Sequence, residues 1–205
     1  MKTDKFSGPG KRRRRFELKL LLLMIILELE GPVGRYRLKE MLDLSEQEGV
    51  VRLMLDDLKA KGLIKTRKTG CELTKAGSDY LTNTFKEHNI VKIEETGLES
   101  MSIDSEGFIF HCRGSPMPTS LTALRDVAVR NGADGAILFL YNQGTLTVPG
   151  VYSNLEQENP DITFEITGKL SLLDGDIIIV SFSKNKWRAL EGGLFMAVYL
   201  KQSIV

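Results

Sequence analysis

The sequence predicts an α+β chain built from two domains, a helical N-terminal one and a mixed sheet-and-helix one, on three observations. The formal charge is split: residues 1–89 hold 19 Lys and Arg against 13 Asp and Glu, while residues 90–205 hold 9 against 14. Apolar positions recur at helical spacing through most of the first half and as short strand-like runs in the second. The apolar fraction of 42% supports folded cores and excludes a disordered chain. These observations predict a flexible basic arm over residues 1–15, a helical domain over 16–88 and an α+β domain over 89–205. A basic half joined to an acidic half implies that the first half alone meets a polyanion.

The longest apolar run, residues 20–27, is far short of the ~20 residues a membrane span needs. It ends in Glu28-Leu29-Glu30 with no small-residue cleavage site, so it reads as a buried helix and no membrane partner is expected. Cys71 and Cys112 have neither metal-ligand spacing nor a disulfide framework. That fits a reducing cytoplasm and predicts no metal site.

Residues 1–15 show no apolar periodicity and contain Lys11-Arg12-Arg13-Arg14-Arg15, a charge run that reads as a solubilising tail, as residual charge at a helix start, or as an arm on phosphates or in the minor groove. Residues 16–29 read as a first helix, stopped by Gly31-Pro32. Residues 33–37 suit a short extended segment and 38–42 a short helix. Ser45, with Glu48 three residues on, has a capping-box pattern that predicts a third helix to about Lys61. Val50, Val51, Met54 and Leu58 fall on one side of that helix and Gly49, Arg52, Asp56 and Lys59 on the other. Gly62 stops it. Residues 63–67 and 71–74 read as strands around the turn Lys68-Thr69-Gly70, and a fourth helix runs to about His88.

Helix, short strand, helix, helix, hairpin, helix is the order of a winged helix. Leu58-Lys59-Ala60-Lys61-Gly62-Leu63-Ile64, a basic hairpin, then Leu73-Thr74-Lys75-Ala76-Gly77 resembles the signature of winged-helix regulators. In that reading Gly62 ends the recognition helix, Leu63 and Ile64 tie the hairpin to the core, Thr74 caps the last helix and Gly77 permits its close packing. The whole chain also resembles archaeal two-domain proteins that join such a winged helix to a C-terminal domain of unknown function. Gly34-Arg35-Tyr36-Arg37-Leu38 and Glu48-Gly49-Val50-Val51-Arg52 carry much of that likeness. The resemblance implies regulation and supplies no ligand.

In the second half, strands are expected at 90–95, 98–103, 108–112, 135–141, 145–148, 162–166 and 177–182, with helices at 121–131 and 187–201. This is a sheet with two helices against it. Asn142-Gln143-Gly144 reads as a hairpin turn. The last helix is apolar nearly all round, through Leu190, Leu194, Phe195, Ala197, Val198 and Leu200, as is the first over residues 20–27. Such helices are buried on more than one side. One of the two is therefore expected either to form a homodimer contact or to be buried within the chain.

No catalytic constellation stands out, no cofactor is implied and the protein is not read as an enzyme. His111 and Cys112 are neighbours on a strand, so they point to opposite faces; one buried and one exposed is expected. Cys71 and His88 lack zinc spacing, and Asp174-Gly175-Asp176 lacks a calcium loop and reads as a turn. Gly192-Gly193 suits close helix packing. The segment 113–119 joins a strand to a helix, where free amides can hold an anion, although a plain loop is the favoured reading.

A winged helix puts its third helix in the major groove and its wing on the backbone. Arg52 is the expected base reader, Gln47 a second, and Gly49 a point of close backbone approach. Lys65, Arg67 and Lys68 in the wing, Arg35 and Arg37, and the arm residues Arg12, Arg13, Arg14 and Arg15 are expected on phosphates. The expected partner is double-stranded DNA, with a small-molecule effector or a homodimer contact assigned to the acidic half. Glu46, Glu48, Asp56 and Asp57, on or beside the third helix, oppose phosphate binding. They keep open a protein-interaction module, and an enzyme with an appended winged helix stands behind both.

Overall fold

In a computed structural model the protein is described over residues 9–201 apart from Ser45, Leu98 and Ser102, with residues 9–12 and Glu48 described by their backbone alone. It is α+β, and it divides into two compact units, Met1–Asn83 and Thr84–Val205.

The first unit contains helices α1 (Pro9–Glu30), α2 (Arg35–Met41) and α3 (Glu48–Ala60), and the hairpin strands β1 (Ile64–Arg67) and β2 (Gly70–Leu73). Helix α4 (Lys75–Glu87) follows and runs through the division between the units. An isolated bridge from Val33 to Cys71 adds a short third strand to the hairpin, completing the winged-helix order. Three glycines make it possible. Gly62 turns the chain out of α3 at φ +69°, a conformation that costs other residues. A Cβ on Gly70 would lie 2.4 Å from the Val33 carbonyl carbon, and one on Gly77 would lie 2.1 Å from the Leu63 oxygen. Thr74 caps α4 by accepting from the Gly77 amide at 3.1 Å, and its hydroxyl donates to the Gly62 carbonyl at 2.7 Å. Those roles agree with the signature.

Three N-terminal expectations are corrected. Residues 9–15 form the first two turns of α1 rather than an arm; residues 1–8 lie outside the described residues. Pro9 is pre-set for a helix start, Lys and Arg are good helix formers, and Arg13 pairs with Glu17 one turn on at 3.0 Å. Residues 35–37 are helical rather than extended, so only the stretch around Val33 serves as a strand. Helix α3 begins at Glu48 rather than after Ser45, with Gln47 in the cap position and no side-chain cap bond there; the two side chains of the expected capping box, Ser45 and Glu48, lie outside the described residues. The turn ahead of it is held by buried Leu44, whose amide donates to the Lys39 carbonyl and whose carbonyl accepts from the Gln47 amide.

The second unit is one five-stranded antiparallel sheet in the order β3-β4-β7-β5-β6, from strands β3 (Ile90–Thr96), β4 (Glu106–Cys112), β5 (Gly135–Asn142), β6 (Thr145–Thr147) and β7 (Ile177–Ser183). Helices α5 (Leu121–Arg130) and α8 (Lys186–Leu200) cover one face. The other face carries a core of Ile109, Phe139, Ile178 and Val180 packed on Leu155 and Ile166, which belong to α6 (Leu155–Glu158) and α7 (Pro160–Lys169). Cover on both faces explains why β4 and β7 read as continuous apolar runs. It also corrects one expectation: His111 and Cys112 do point to opposite faces, yet both are buried. Burial pushes the Cys112 thiol up to about 12, with the Asp176 charge adding to the rise.

Two expected strands are helical. Residues 162–166 lie in α7, where Pro160 sits in the first turn and Ile162 and Ile166, four apart, face the core. Packing overrides the strand preference of an Ile-Thr-Phe run. Residues 99–101 form a single 3-10 turn, held by the Ser100 hydroxyl donating to Glu165. The expected hairpin turn is present, with Gln143 at φ 51° and Gly144 at 76°, the paired positive values of a type I′ turn. Gly192 and Gly193 let α8 sit against Ala133 and against Phe110 and Ser181. Helix α8 is buried from Ala189 to Val198 by α5, β4 and β7 of its own unit. In α1, residues 21–27 are each at most 6% exposed.

Candidate nucleic-acid interface

Helix α3 is amphipathic. Val51, Met54 and Leu58 are buried and Gly49, Arg52, Asp56 and Lys59 exposed on the other side, as the spacing predicts, whereas Val50 is only half-buried and Leu55 is buried as well. A Cβ on Gly49 would meet nothing within 4 Å, so the chain's own packing does not demand a glycine there. Gln47 is exposed at the start of the helix. Arg52 is exposed, and among the described residues it makes no ion pair. Leu53 beside it is 64% exposed, and Tyr36 on α2 is 66% exposed under the cations of Arg35 and Lys39, 5.3 and 5.8 Å from the ring centre. The sequence reading missed both apolar residues, although Leu53 could be placed outside the buried stripe by its spacing.

In the wing, the two-residue turn Lys68-Thr69 sets Lys65 opposite Glu72 and Arg67 opposite Gly70. The Glu72 carboxylate therefore meets both cations, Lys65 Nζ at 3.1 Å and Arg67 Nε at 2.5 Å. The Lys65 hydrogen bond, then the Arg67 hydrogen bond and both charges, outweigh desolvation and hold Glu72 below the usual carboxylate range. Lys68 stands exposed at the tip and, among the described residues, makes no ion pair. Arg37 pairs with Glu30 at 3.1 Å, and Arg13 with Glu17. On a helix, successive residues step round by about 100° each. Arg13, Arg14 and Arg15 therefore point to different sides of α1.

The second unit holds a buried polar cluster that the sequence reading took for a plain turn. Asp176, 1% exposed, accepts from His111 Nε2 at 2.6 Å, from Arg113 through Nε at 2.9 Å and Nη2 at 2.8 Å, and from the Leu173 amide at 2.9 Å. Desolvation alone would raise its carboxyl; the bonds from Arg113, Leu173 and His111 outweigh that and hold it below the usual range. Its donors are all committed internally, and Arg113 also donates to the Ser171 carbonyl, so the cluster fastens the 171–176 turn to β4. Arg113 is thereby withdrawn from the 113–119 loop as an anion ligand. Among the described residues no group of three His, Cys, Asp or Glu is arranged to hold a metal ion, and no helix is long and apolar enough to cross a membrane.

Residues 14–87 match the family described as the CggR N-terminal DNA binding domain, and residues 108–200 match a domain of unknown function. A solved structure of a hypothetical protein from Pyrococcus horikoshii OT3 is similar, with a TM-score of 0.70 and 23% identity over 91% of this chain and 94% of that one. No curated protein matches. The chain thus resembles a two-domain, regulator-like protein of archaeal type, and the N-terminal match supports a DNA-binding regulator.

Proposed function

We propose that the protein is a transcriptional regulator of the cytoplasm that binds duplex DNA through its first unit and is controlled through its second. The observation that carries this reading is the outward face of α3, where Arg52 stands without an ion partner among the described residues in a segment that matches a DNA-binding domain. Arg52 and Gln47 read base edges, and Gly49 lets the helix backbone approach the groove. Leu53 adds an apolar surface suited to a thymine methyl. Lys65, Arg67 and Lys68 lie on one flanking backbone, with Arg35, Arg37 and whichever of the basic residues 12–15 turn to the duplex side of α1 supplying further phosphate contacts. The acidic unit senses a small effector or supplies a homodimer contact; a two-fold operator would reveal the latter.

Exposed Leu53 and Tyr36 favour one second reading, a winged helix that docks on a protein. Selection of bound duplexes from a random pool, repeated from low to high salt, separates the two. Enrichment of one motif, with affinity falling linearly in log salt, is expected for DNA. Recovery of an unenriched pool at every salt concentration refutes the DNA reading.

A further inference from the structure

Strand β5 is covered on one side by β7 from Gly135 to Leu140, but on the other by β6 only from Leu140 to Asn142. In an antiparallel ladder successive residues bond to alternate sides. The Tyr141 amide donates to Asp176 at the head of β7, so Phe139 and Ile137 also face β7. Ala136 and Leu138 therefore direct their amides and carbonyls to the open edge. Among the described residues nothing bonds to them there.

That edge is not bare surface. It forms the floor of a cavity of about 500 Å³ within the second unit, walled by α5 on one side and by residues 148–162 on the other. The walls are mostly apolar: Leu121, Leu138, Val148, Leu155, Ile162 and Met196 all contribute. One charged side chain lines it, Arg125, which is exposed and makes no ion pair among the described residues. Thr122 lies one turn before it, on the same side of α5. Residues 90–205 carry an excess of acids, 14 against 9 basic residues, yet no carboxylate lines this cavity. A second cavity, of about 650 Å³, is the reverse, with Glu95, Glu99, Asp104 and Glu106 around Lys169 and Lys184.

We propose that this cavity binds a small organic anion, a monocarboxylate with an aliphatic or aromatic body. The body fills the apolar walls, the carboxylate takes the Arg125 fork, and any remaining polar group meets the open backbone of Ala136 and Leu138. A bidentate guanidinium–carboxylate pair is short and directional, and it distinguishes an acid from a neutral or cationic molecule of the same shape. The cavity falls within the 300–1,000 Å³ range usual for small-ligand sites, with the usual few polar groups on apolar walls. The inference rests on the reading of the second unit as an effector sensor.

The test uses the whole chain in calorimetry and thermal shift with octanoate, decanoate and phenylacetate, against 1-octanol and octylamine. At least one carboxylate is expected to bind about tenfold or more tighter than its neutral counterpart. Arg125→Gln, at an exposed position, is expected to remove that difference while leaving 1-octanol unchanged. Equal binding of acid and alcohol, an unaltered preference in Arg125→Gln, or no binding of any carboxylate at millimolar concentration overturns the proposal. Duplex affinity is measured alongside. A carboxylate that binds through Arg125 yet leaves DNA affinity unchanged keeps the site and refutes the effector reading, whereas failure to bind removes the site and leaves that reading to another ligand.

Discussion

Replacing Glu72 by Gln should strengthen DNA binding, although it removes two ion pairs. Glu72 faces Lys65 across the hairpin and also holds Arg67, so a single carboxylate occupies two of the three wing cations. It is held below the usual carboxylate range and is fully ionised wherever binding is measured. Exposed pairs contribute little to stability, so the hairpin is expected to fold as before. The effect falls on phosphate contacts. Each new one steepens the slope of log affinity on log salt by about 0.9, which multiplies the ratio of affinities at 50 and 200 mM salt by about 3.5. Freeing one cation gives about that ratio and freeing both gives roughly 12-fold. Fluorescence anisotropy with a selected duplex reads this directly. Asp126→Asn adds the same charge to the second unit, at a residue already paired with Arg130, and should leave the slope alone. An unchanged slope in Glu72→Gln, weaker binding, or an equal response from Asp126→Asn refutes a wing seated on phosphates.

Arg52→Ala should relax preference at one base position at a cost of about 1–3 kcal/mol, read by repeating the selection; uniform weakening on all duplexes would make Arg52 a phosphate contact. Gly77→Ala should lower the denaturant midpoint, because the added methyl lies 2.1 Å from the Leu63 oxygen and overpacking of this kind costs about 1–3 kcal/mol. Gly49→Ala, in open space, should leave stability equal or raise it by up to about 1 kcal/mol while weakening duplex binding; unaltered binding would remove the close backbone approach. Asp176→Asn should destabilise the second unit by about 2–4 kcal/mol by orphaning His111 and Arg113. With its folded carboxyl held low, Asp176 contributes stability that is present above its ordinary range near 3.9 and is lost as pH falls through the folded value. The variant should therefore show a flatter loss of stability below about pH 5 in urea unfolding.

The winged helix was legible because its determinants are local. Leu58 to Ile64 and Leu73 to Gly77 encode a helix stop, a strand start and a cap within a few residues of one another. The Glu72 clamp was not legible in the same way: the sequence suggests a three-residue turn Lys68-Thr69-Gly70, and only the two-residue turn Lys68-Thr69 of the folded hairpin sets Lys65 opposite Glu72. Other features depended on contacts the sequence does not display. His111 and Asp176 are 65 residues apart, and only the β4-β7 ladder brings them together. Residues 162–166 have the composition of a strand, and only the core beneath Ile166 makes them helical. The open edge of β5 follows from where β6 stops, which no local pattern in residues 135–140 records. The basic run misled in the other direction. A row of like charges reads as a tail, yet Pro9 and good helix formers carried the first helix two turns further back.

The pairing of surface charge bears on how such a regulator would discriminate. The first half carries 19 basic residues, yet Arg13, Arg37, Lys61, Lys65 and Arg67 each lie against a carboxylate of the same unit. Exposed pairs of this kind are worth about 0–1 kcal/mol, so a phosphate can displace the carboxylate, but the displaced acid stays near the backbone and repels it. The net pull on any duplex is therefore less than the count of cations implies. Non-specific affinity is almost wholly such pull, whereas specific affinity adds base contacts from the face of α3. Carboxylates that mute the wing lower both quantities by a similar factor, so their ratio is set by the base contacts. What matters in a genome is the ratio of the two, because competing sites vastly outnumber the operator. The acids near α3 and in the wing are then compatible with a DNA-binding role. In the proposed reading they weaken binding to every sequence alike, and discrimination rests on the base contacts assigned to Arg52 and its neighbours.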